Sequence, residues 1–296
     1  MIVGAQSRIV EMCTLVGISL IATIVVFRLQ SVEGFQTEDK SLSDIPHYIE
    51  RQNKDAPLTI LNVPTVIYNS WHSHSVPPKM KENIYSLIER NPDFDYYLYS
   101  DEDSVKYIQY NYSKDVLDAF NTLKPGAYKS DLWRYCIMYK NGGVYIDIKY
   151  NTLEPLSLIV ARTPEVFVRD YDNAASDPDT RCFYNGVMIS PPNNMLFKRC
   201  IDEVVNNCKM KLYKMNCLDV TGPCLLGRKL KEHNMFIWQH TPFTYGREEV
   251  DEQIVDYIMY KDHRIMQSYV EYRDEQRSKQ KTEHYGKMWY DKNIFA

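Results

Sequence analysis

Residues 125–150 read PGAYKSDLWRYCIMYKNGGVYIDIKY, and the predicted fold is built around them. Apolar side chains recur at helical spacing between residues 129 and 140, which predicts an amphipathic helix. The glycine pair at residues 142–143 then ends the helix, because glycine reaches the left-handed conformation that helix ends often need. Residues 144–146 are β-formers and predict a short buried strand that ends at Asp147.

Charged side chains stand at both ends of this helix and strand. Asp131 and Arg134 are one helical turn apart, so their side chains are neighbours. Asp147 and Lys149 are two residues apart, so in an extended chain both point to the same side. Because α/β sheets bind ligands at the C-terminal ends of their strands, these four residues predict a ligand site. The alternative is an ordinary surface ion pair and a strand-ending carboxylate.

The chain before this stretch alternates between predicted strands and helices. Residues 63–71 and 94–99 predict strands, and the apolar spacing of residues 80–88 predicts a helix between them. Ser100 and Asp103 have the spacing of a capping box and predict the start of another helix. Such alternation indicates an α/β fold with a mainly parallel central sheet.

The composition of the 296 residues is that of an ordinary globular protein, with 44% hydrophobic and 25% charged residues. A net charge of −4 gives no general case for binding nucleic acid or anionic membrane surfaces. Seven cysteines are present, and no pair has the CxxC spacing of a zinc site. Disulfides among those between residues 182 and 224 are plausible in an oxidising compartment.

The N-terminal region predicts a membrane anchor. Residues 12–27 carry no charge, and as a helix they span about 24 Å, somewhat short of a hydrocarbon core of about 30 Å. Flanking apolar residues can extend this helix, and we therefore predict an uncleaved anchor over residues 1–29. A cleaved signal peptide is the alternative. Polar residues 30–60 predict a stem or linker, and residues 61–296 the globular domain.

Two short motifs together resemble a known family. Residues 130–135, SDLWRY, followed by residues 142–147, GGVYID, resemble the signature of the sugar transferases that contain a DXD motif. This family includes fungal Golgi α-mannosyltransferases and inositol phosphoceramide mannosyltransferases, and the large glucosylating toxins are distant relatives. The resemblance covers about residues 64–158 and thins beyond them. It implies a GT-A-like nucleotide-sugar-binding fold.

The resemblance also implies roles for particular residues. Asp131 and Arg134 would hold the hydroxyls of the donor sugar at the catalytic centre, and Asp147 would lie at the ribose, the sugar or a metal. The base of the donor would stack on Trp71. Donor binding would involve Tyr68, Trp71, Lys129, Lys149, Asn185 and Gly222. A divalent cation, Mn²⁺ or Mg²⁺, would be held by Asp147 and His284.

Lys149 departs from the family pattern, because the third position of the DXD motif should be an acid. A lysine there repels a divalent ion, which prefers oxygen ligands. Three outcomes are open. The metal is held by Asp147, His284 and phosphate oxygens; or the ammonium replaces the metal as a point charge on the diphosphate; or activity has been lost.

The resemblance implies a glycosyltransferase that moves a sugar from a nucleotide-sugar donor to a hydroxyl of a glycan or glycolipid, with retention of configuration. It further implies a type II, single-pass membrane protein of the Golgi or ER with a lumenal catalytic domain. Two other functions stay open. One is a non-catalytic sugar-binding or scaffold protein on the same fold. The other is a glycoside hydrolase, for which Asp131 and Asp147 are the carboxylate pair to test.

Overall fold

The computed structural model describes residues 42–171, 181–279 and 283–296. The predicted anchor over residues 1–29 and the first part of the predicted stem lie outside the described residues. Among the residues described, no helix combines the length and the apolar character needed to cross a membrane. The described chain falls within one compact unit, Ser41–Ala296.

Strands and helices follow one another along the described chain. The strands are β1 Ser43–Asp44, β2 Tyr48–Ile49, β3 Thr59–Ile60, β4 Val63–Pro64, β5 Val66–Ser70, β6 Ser75–Val76, β7 Asp95–Tyr99, β8 Gly143–Ile146, β9 Tyr150–Thr152, β10 Val166–Arg169, β11 Phe183–Ser190, β12 Phe243–Val250, β13 Gln253–Tyr260 and β14 His263–Ser268. The helices are α1 Pro78–Arg90, α2 Asp101–Asn111, α3 Lys114–Thr122, α4 Gly126–Asn141, α5 Leu156–Arg162, α6 Met195–Lys209, α7 Pro223–His233, α8 Met235–His240, α9 Tyr272–Lys279 and α10 Tyr285–Tyr290.

Ten strands form one sheet in the order β2-β7-β5-β8-β11-β10-β12-β13-β14-β9. β5 runs parallel to β7 and β8, and β10 runs parallel to β12. The remaining neighbours are antiparallel, so the predicted mainly parallel sheet is wrong and the sheet is mixed. One or more helices separate β6 from β7 and β7 from β8, whereas β12, β13 and β14 follow one another through two-residue turns. Strands joined by such tight turns pair antiparallel.

Part of the predicted stem is packed against the sheet. β2 pairs with β7, and Arg51 lies buried behind this edge. Its guanidinium is 2.5 Å from the carboxylate of Asp95 and also donates a hydrogen bond to Thr65. The polar composition of this segment suggested a linker, but strand pairing and a buried ion pair require few apolar residues. The folded chain therefore starts before residue 61.

The sheet separates two hydrophobic cores. Ile67 of β5 and Val144 of β8 pack in the core that contains α1 and α5. Tyr68 and Tyr145, the next residues along the same strands, pack in the core that contains α4, α6 and α7. This alternation is the two-residue period of a strand buried on both faces. The molecule thus has helices on both sides of the sheet.

Helix α4 is buried on almost all sides, whereas the sequence predicted one apolar face. Trp133 and Ile137 are as fully buried as the predicted core residues Leu132 and Tyr135. A helix that is enclosed in this way packs against both the sheet and other helices, and α4 lies between β8 and α6. Its charged residues are therefore held in place by the core.

The glycine pair after α4 is required by its surroundings. Gly142 and Gly143 both have positive φ angles, 64° and 97°. A Cβ atom on Gly142 would lie 2.4 Å from the backbone nitrogen of Pro192, and one on Gly143 would lie 3.0 Å from the carbonyl oxygen of Val66. These glycines let the chain turn sharply from α4 into β8 while neighbouring segments pack closely.

Cys182 and Cys224 form a disulfide that ties the segment before β11 to the first turn of α7. The other described cysteines, Cys136, Cys200, Cys208 and Cys217, are free. The loop directly before α7 contacts the N-terminal half of α4, so this disulfide helps to fix the position of that loop.

Candidate active site

A cavity of about 540 Å³ opens where β5 and β8 end. The two strands are parallel, so their C-terminal ends lie at the same edge of the sheet. Trp71 follows β5 and Asp147 follows β8, and both line the cavity. The other predicted site residues on its walls are Lys129 and Arg134 from α4 and His284 before α10. The sheet edge that the sequence predicted as the ligand site is therefore the place where the cavity forms.

Arg134 is the centre of this site. Its Nη1 donates to the carbonyl of Asn185 at 2.9 Å, and its Nη2 donates to the Ser130 hydroxyl at 2.9 Å. The same Nη1 lies 3.5 Å from Asp147 and 3.7 Å from Asp131. The guanidinium also lies over the ring of Tyr145, 4.6 Å from its centroid. A cation fixed in this way is pre-organised for a ligand.

Asp131 lies behind Arg134 and is buried, with 8% of its surface exposed. Asn185 donates to Oδ1 at 2.9 Å and Thr221 donates to Oδ2 at 2.7 Å. A Cβ atom on Gly222 would come within 3.1 Å of Oδ2. Burial raises the pKa of Asp131, while the charge of Arg134 and the two hydrogen bonds oppose that shift. Asp131 is not on the cavity lining, so its contact with a donor sugar stays a prediction.

Two predicted donor-binding residues, Asn185 and Gly222, share this position. They contact Asp131 from β11 and from the start of α7, and they do not line the cavity. The structure thus brings α4, β11 and the loop before α7 together at one carboxylate. The family resemblance had placed residues of these three segments together at the donor. They meet at Asp131, directly behind Arg134 of the cavity wall.

Asp147 faces the cavity and is held by two tyrosines. The hydroxyl of Tyr145 donates to Oδ1 at 3.0 Å and that of Tyr184 donates to Oδ2 at 2.9 Å. Its carboxylate is therefore oriented on both oxygens by neutral donors while Arg134 supplies the nearby positive charge. This arrangement keeps a carboxylate oxygen at the cavity wall, where it can accept a hydrogen bond from a ligand hydroxyl.

Lys149 does not line the cavity, whereas Asp147 does, contrary to the expectation that both side chains face the same side. The strand ends at Ile146, and the amide of Tyr150 donates to the carbonyl of Asp147, which closes a turn. The turn removes the two-residue alternation that an extended chain would have. Lys149 is buried, does not line the cavity, and lies 2.5 Å from Asp256. Its predicted role at the donor is therefore not supported by its position.

Tyr68 is also separated from the cavity. It is buried beside Gly143 and accepts a hydrogen bond from the Asn141 side chain. Burial raises the pKa of Tyr68 to about 12. Tyr68 packs on the α4 side of the sheet and does not line the cavity, so its contact with the donor stays a prediction.

Trp71 has the position that was predicted for a base-stacking residue. It lines the cavity and its ring lies 4.8 Å from that of His72. Within the described chain, its buried indole N–H has no hydrogen-bond partner. Trp71 therefore offers the cavity an aromatic face and an N–H donor, and both can contact the base of a nucleotide.

One part of the cavity wall was not predicted from the sequence, and it comes from the C-terminal part of the chain. Arg247 from β12 and Arg273 from α9 line it, together with Tyr272. Both arginines contact Asp256, which lies on β13. The strand that carries Arg247 includes Gly-Arg-Glu-Glu at residues 246–249, which are not β-formers, so its local sequence does not predict a strand there.

The predicted metal ligands, Asp147 and His284, both line the cavity. Among the residues that the structure describes, the group of histidine and acidic side chains with ligand spacing is His47, His74 and Asp103, and none of these lines the cavity. Both oxygens of Asp147 already accept hydrogen bonds, and the Nδ1 atom of His284 accepts one from the amide of Gly286. Metal binding by Asp147 and His284 stays a prediction.

The arrangement defines a class of site. Arg134 lies between the carboxylates of Asp131 and Asp147 at the C-terminal edge of parallel strands. Aromatic rings and two further arginines, Arg247 and Arg273, line the same cavity. Such a site has donors and acceptors for a ligand that carries several hydroxyls and negative charges.

Comparison with known proteins shows which family this part of the chain is similar to. Residues 77–165 match the family model described as "Glycosyltransferase sugar-binding region containing DXD motif". This range includes α4, β8 and Asp147. The resemblance predicted from the sequence is therefore confirmed.

Curated relatives have consistent names. The chain is 32% identical over 188 residues to mannosyl phosphorylinositol ceramide synthase SUR1 of Saccharomyces cerevisiae, covering 62% of this chain and 46% of the relative. It is 28% identical over 200 residues to inositol phosphoceramide mannosyltransferase 2 of Schizosaccharomyces pombe, covering 63% and 53%. The match to inositol phosphoceramide mannosyltransferase 3 of the same yeast covers 42% and 34%, at 27% identity. The chain thus spans between a third and about half the length of these relatives.

A solved structure, that of the PaToxG glycosyltransferase, is similar with a TM-score of 0.45 and 16% identity. The similarity covers 59% of this chain and 71% of that chain. At this score the likeness carries no weight for fold or function.

Proposed function

We propose that this protein is a nucleotide-sugar-dependent glycosyltransferase on a GT-A-like fold. The observation that carries the proposal is the position of Arg134 between Asp131 and Asp147 at the cavity wall. The match to the DXD-motif family over residues 77–165 supports it. The names of the relatives support a hexose, specifically mannose, as the transferred sugar and a glycolipid of the inositol phosphoceramide class as acceptor.

The chemistry requires that the donor sugar is held in one pose and that its diphosphate leaves with its charge stabilised. Arg134 can donate to sugar hydroxyls, and Asp147 can accept from them, so the two together satisfy a polyol. Asp131 keeps Arg134 in place from behind, which makes it a positioning residue in this proposal. Trp71 stacks on the base, and Lys129 at the first turn of α4 adds positive charge near the phosphates.

Transfer with retention is the stereochemical outcome that the family resemblance implies. The acceptor hydroxyl would then attack on the same face of the sugar from which the diphosphate leaves, and its proton would leave with the departing oxygen. A paired-carboxylate hydrolase is less well supported by the geometry. Asp131 is buried with both oxygens engaged, so the predicted pair does not face across the cavity.

The location of the protein is a further part of the proposal. We infer a type II, single-pass membrane protein of the Golgi or ER, anchored by residues 1–29, with this domain in the lumen. The disulfide between Cys182 and Cys224 supports an oxidising compartment, because such bonds persist there and are rare in the cytosol. A glycolipid acceptor would also be presented at a membrane surface.

Turnover of several donors tests the proposed function. The full-length chain, purified in mild detergent, is incubated with GDP-mannose, UDP-glucose or UDP-galactose, with and without inositol phosphoceramide, in EDTA or in Mn²⁺. We expect release of nucleoside diphosphate from one donor above the others, with GDP-mannose favoured, and a lipid product heavier by one hexose on mass spectrometry. Saturable donor binding with no turnover under any condition would instead identify a sugar-binding protein.

A further inference from the structure

Asp256 holds three cations although it carries one negative charge. Its carboxylate is buried, with 1% of the side chain exposed, and lies 2.5 Å from Lys149, 2.8 Å from Arg247 and 2.9 Å from Arg273. Burial raises the pKa of Asp256, but the charge and hydrogen bond of Lys149, the hydrogen bond of Tyr245 and the charge of Arg273 together outweigh this effect, so the pKa lies below its ordinary value. The carboxylate is therefore ionised and neutralises one of the three positive charges.

The surplus positive charge faces the cavity. Lys149 is buried, whereas the side chains of Arg247 and Arg273 are 48% and 29% exposed and line the cavity wall. Because the two guanidinium groups contact the two oxygens of one carboxylate, they are held side by side. Because the single charge of Asp256 is shared among three cations, it offsets the repulsion between the two guanidinium groups only in part, and a second anion at the cavity wall would reduce it further.

Both arginines are fixed in place before any ligand binds. Arg247 donates from Nη2 to the hydroxyl of Tyr245 at 2.8 Å, and this ring stacks on Tyr184 with centroids 4.6 Å apart. Arg273 donates from Nη1 to Gln276 at 3.3 Å. Each guanidinium has five N–H donors, and these contacts use a minority of them. Pre-organised donors cost little ordering entropy when an anion binds.

Acidic groups around the arginines reduce the positive charge but do not cancel it. Asp147 on the cavity wall is already beside Arg134. Asp170 is half-buried, its desolvation raises its pKa to about 6, and it does not line the cavity. Asp101 and Glu283 also line the cavity, and they are the other carboxylates that an anionic ligand would approach.

We propose that Arg247 and Arg273 form an anion subsite that binds the diphosphate of the nucleotide-sugar donor. The identity of the anion as the leaving diphosphate rests on the proposed function. Planar guanidinium groups bind phosphate oxygens through paired hydrogen bonds, and they stabilise the charge that develops as the diphosphate leaves. Lys149 contributes indirectly, since it neutralises Asp256 and leaves the charge of the arginines for the ligand.

Isothermal titration calorimetry with inorganic pyrophosphate and with GDP tests this subsite. The full-length protein in detergent is titrated in EDTA, as wild type and as the Arg247→Gln, Arg273→Gln and Arg264→Gln variants. Arg264 is the matched control, because it lies on β14, pairs with Glu248 and is not on the cavity wall. We expect wild type to bind both probes without metal. We expect each of the two cavity variants to raise Kd roughly tenfold to a hundredfold, as for a lost hydrogen bond to a charged group.

The outcomes separate this inference from the proposed function. Unchanged affinity in both cavity variants, or binding of wild type that requires Mn²⁺, overturns the anion subsite even if donor turnover is normal. Arginine-dependent binding of pyrophosphate without turnover of any donor keeps the subsite and contradicts the transferase. Melting temperatures accompany each titration. If Arg273→Gln does not fold, Arg247→Gln decides the question, because that side chain is about half exposed.

Discussion

Replacing Asp147 with asparagine is expected to lower donor turnover by about 100-fold or more, while the protein stays folded. The carboxylate lies at the cavity wall, is oriented by the hydroxyls of Tyr145 and Tyr184, and lies beside Arg134. Asparagine keeps the shape but removes the charge that the site holds against Arg134. Losing one pre-organised electrostatic contact to the reacting groups costs roughly 100- to 1,000-fold in rate.

The measurement is kcat/KM for nucleoside diphosphate release, together with the melting temperature. Asp118→Asn is the control, because Asp118 is an exposed residue on α3 that pairs with Lys114. We expect wild-type turnover and stability in that variant. Near-normal turnover in Asp147→Asn, with the control behaving as expected, would mean that the catalytic centre lies elsewhere.

Restoring the acid of the DXD motif by Lys149→Asp is expected to destabilise the fold and not to create a metal site. Lys149 is buried against Asp256, so the substitution places two carboxylates in one buried position. Breaking a buried ion pair by removing one partner costs about 3–5 kcal/mol, and the added like charge increases that cost. Arg247 and Arg273 offset part of it, but they would then be drawn toward the two acids and away from the cavity.

Chemical denaturation measures this loss in free energy of unfolding. Lys140→Asp is the control, since Lys140 is exposed in the last turn of α4, and a change of about 0.5 kcal/mol is expected there. Lys149→Met should be intermediate, because it removes the cation without adding a charge. A Lys149→Asp variant with wild-type stability and a new requirement for Mn²⁺ would show that residue 149 faces the donor after all.

The same ion pair predicts a pH signature. The pKa of Asp256 lies below its ordinary value in the folded state, whereas it is about 3.9 in an unfolded chain. The stability that this group contributes is therefore present above about pH 4 and is lost as the pH falls toward the folded value. In denaturation at decreasing pH, Asp256→Asn should remove this component of the pH dependence.

Local sequence signals predicted the central part of the fold well. The helix predicted over residues 129–140 lies within α4, and the strand predicted over residues 144–146 is β8, with Asp147 directly after its last residue. The capping box of Ser100 and Asp103 is present at the start of α2. These features depend on residues that are close in sequence. The helix depends on the spacing of its apolar residues, its end on two glycines, and the start of α2 on its capping residues. Side chains only a few positions apart carry the information for them.

Features that depend on distant residues were not predictable in this way. Lys149 and Asp256 are 107 positions apart, and nothing in the spacing around either residue indicates the other. The sheet is mixed because β11 pairs antiparallel with β8 and β10, and because β12 to β14 form hairpins, all of which involve strands beyond the region that the family resemblance covered. The turn at Asp147 likewise results from packing around the end of β8. For these reasons Arg247, Tyr272 and Arg273 were missing from the predicted site.

A crystal structure of the full-length protein with GDP and a slowly hydrolysed GDP-sugar analogue tests the central claim most directly. We expect the sugar within hydrogen-bonding distance of Arg134 and Asp147, the base against Trp71, and the diphosphate between Arg247 and Arg273. A ligand bound on another surface of the domain, with this cavity filled only by water at saturating concentration, would contradict the account.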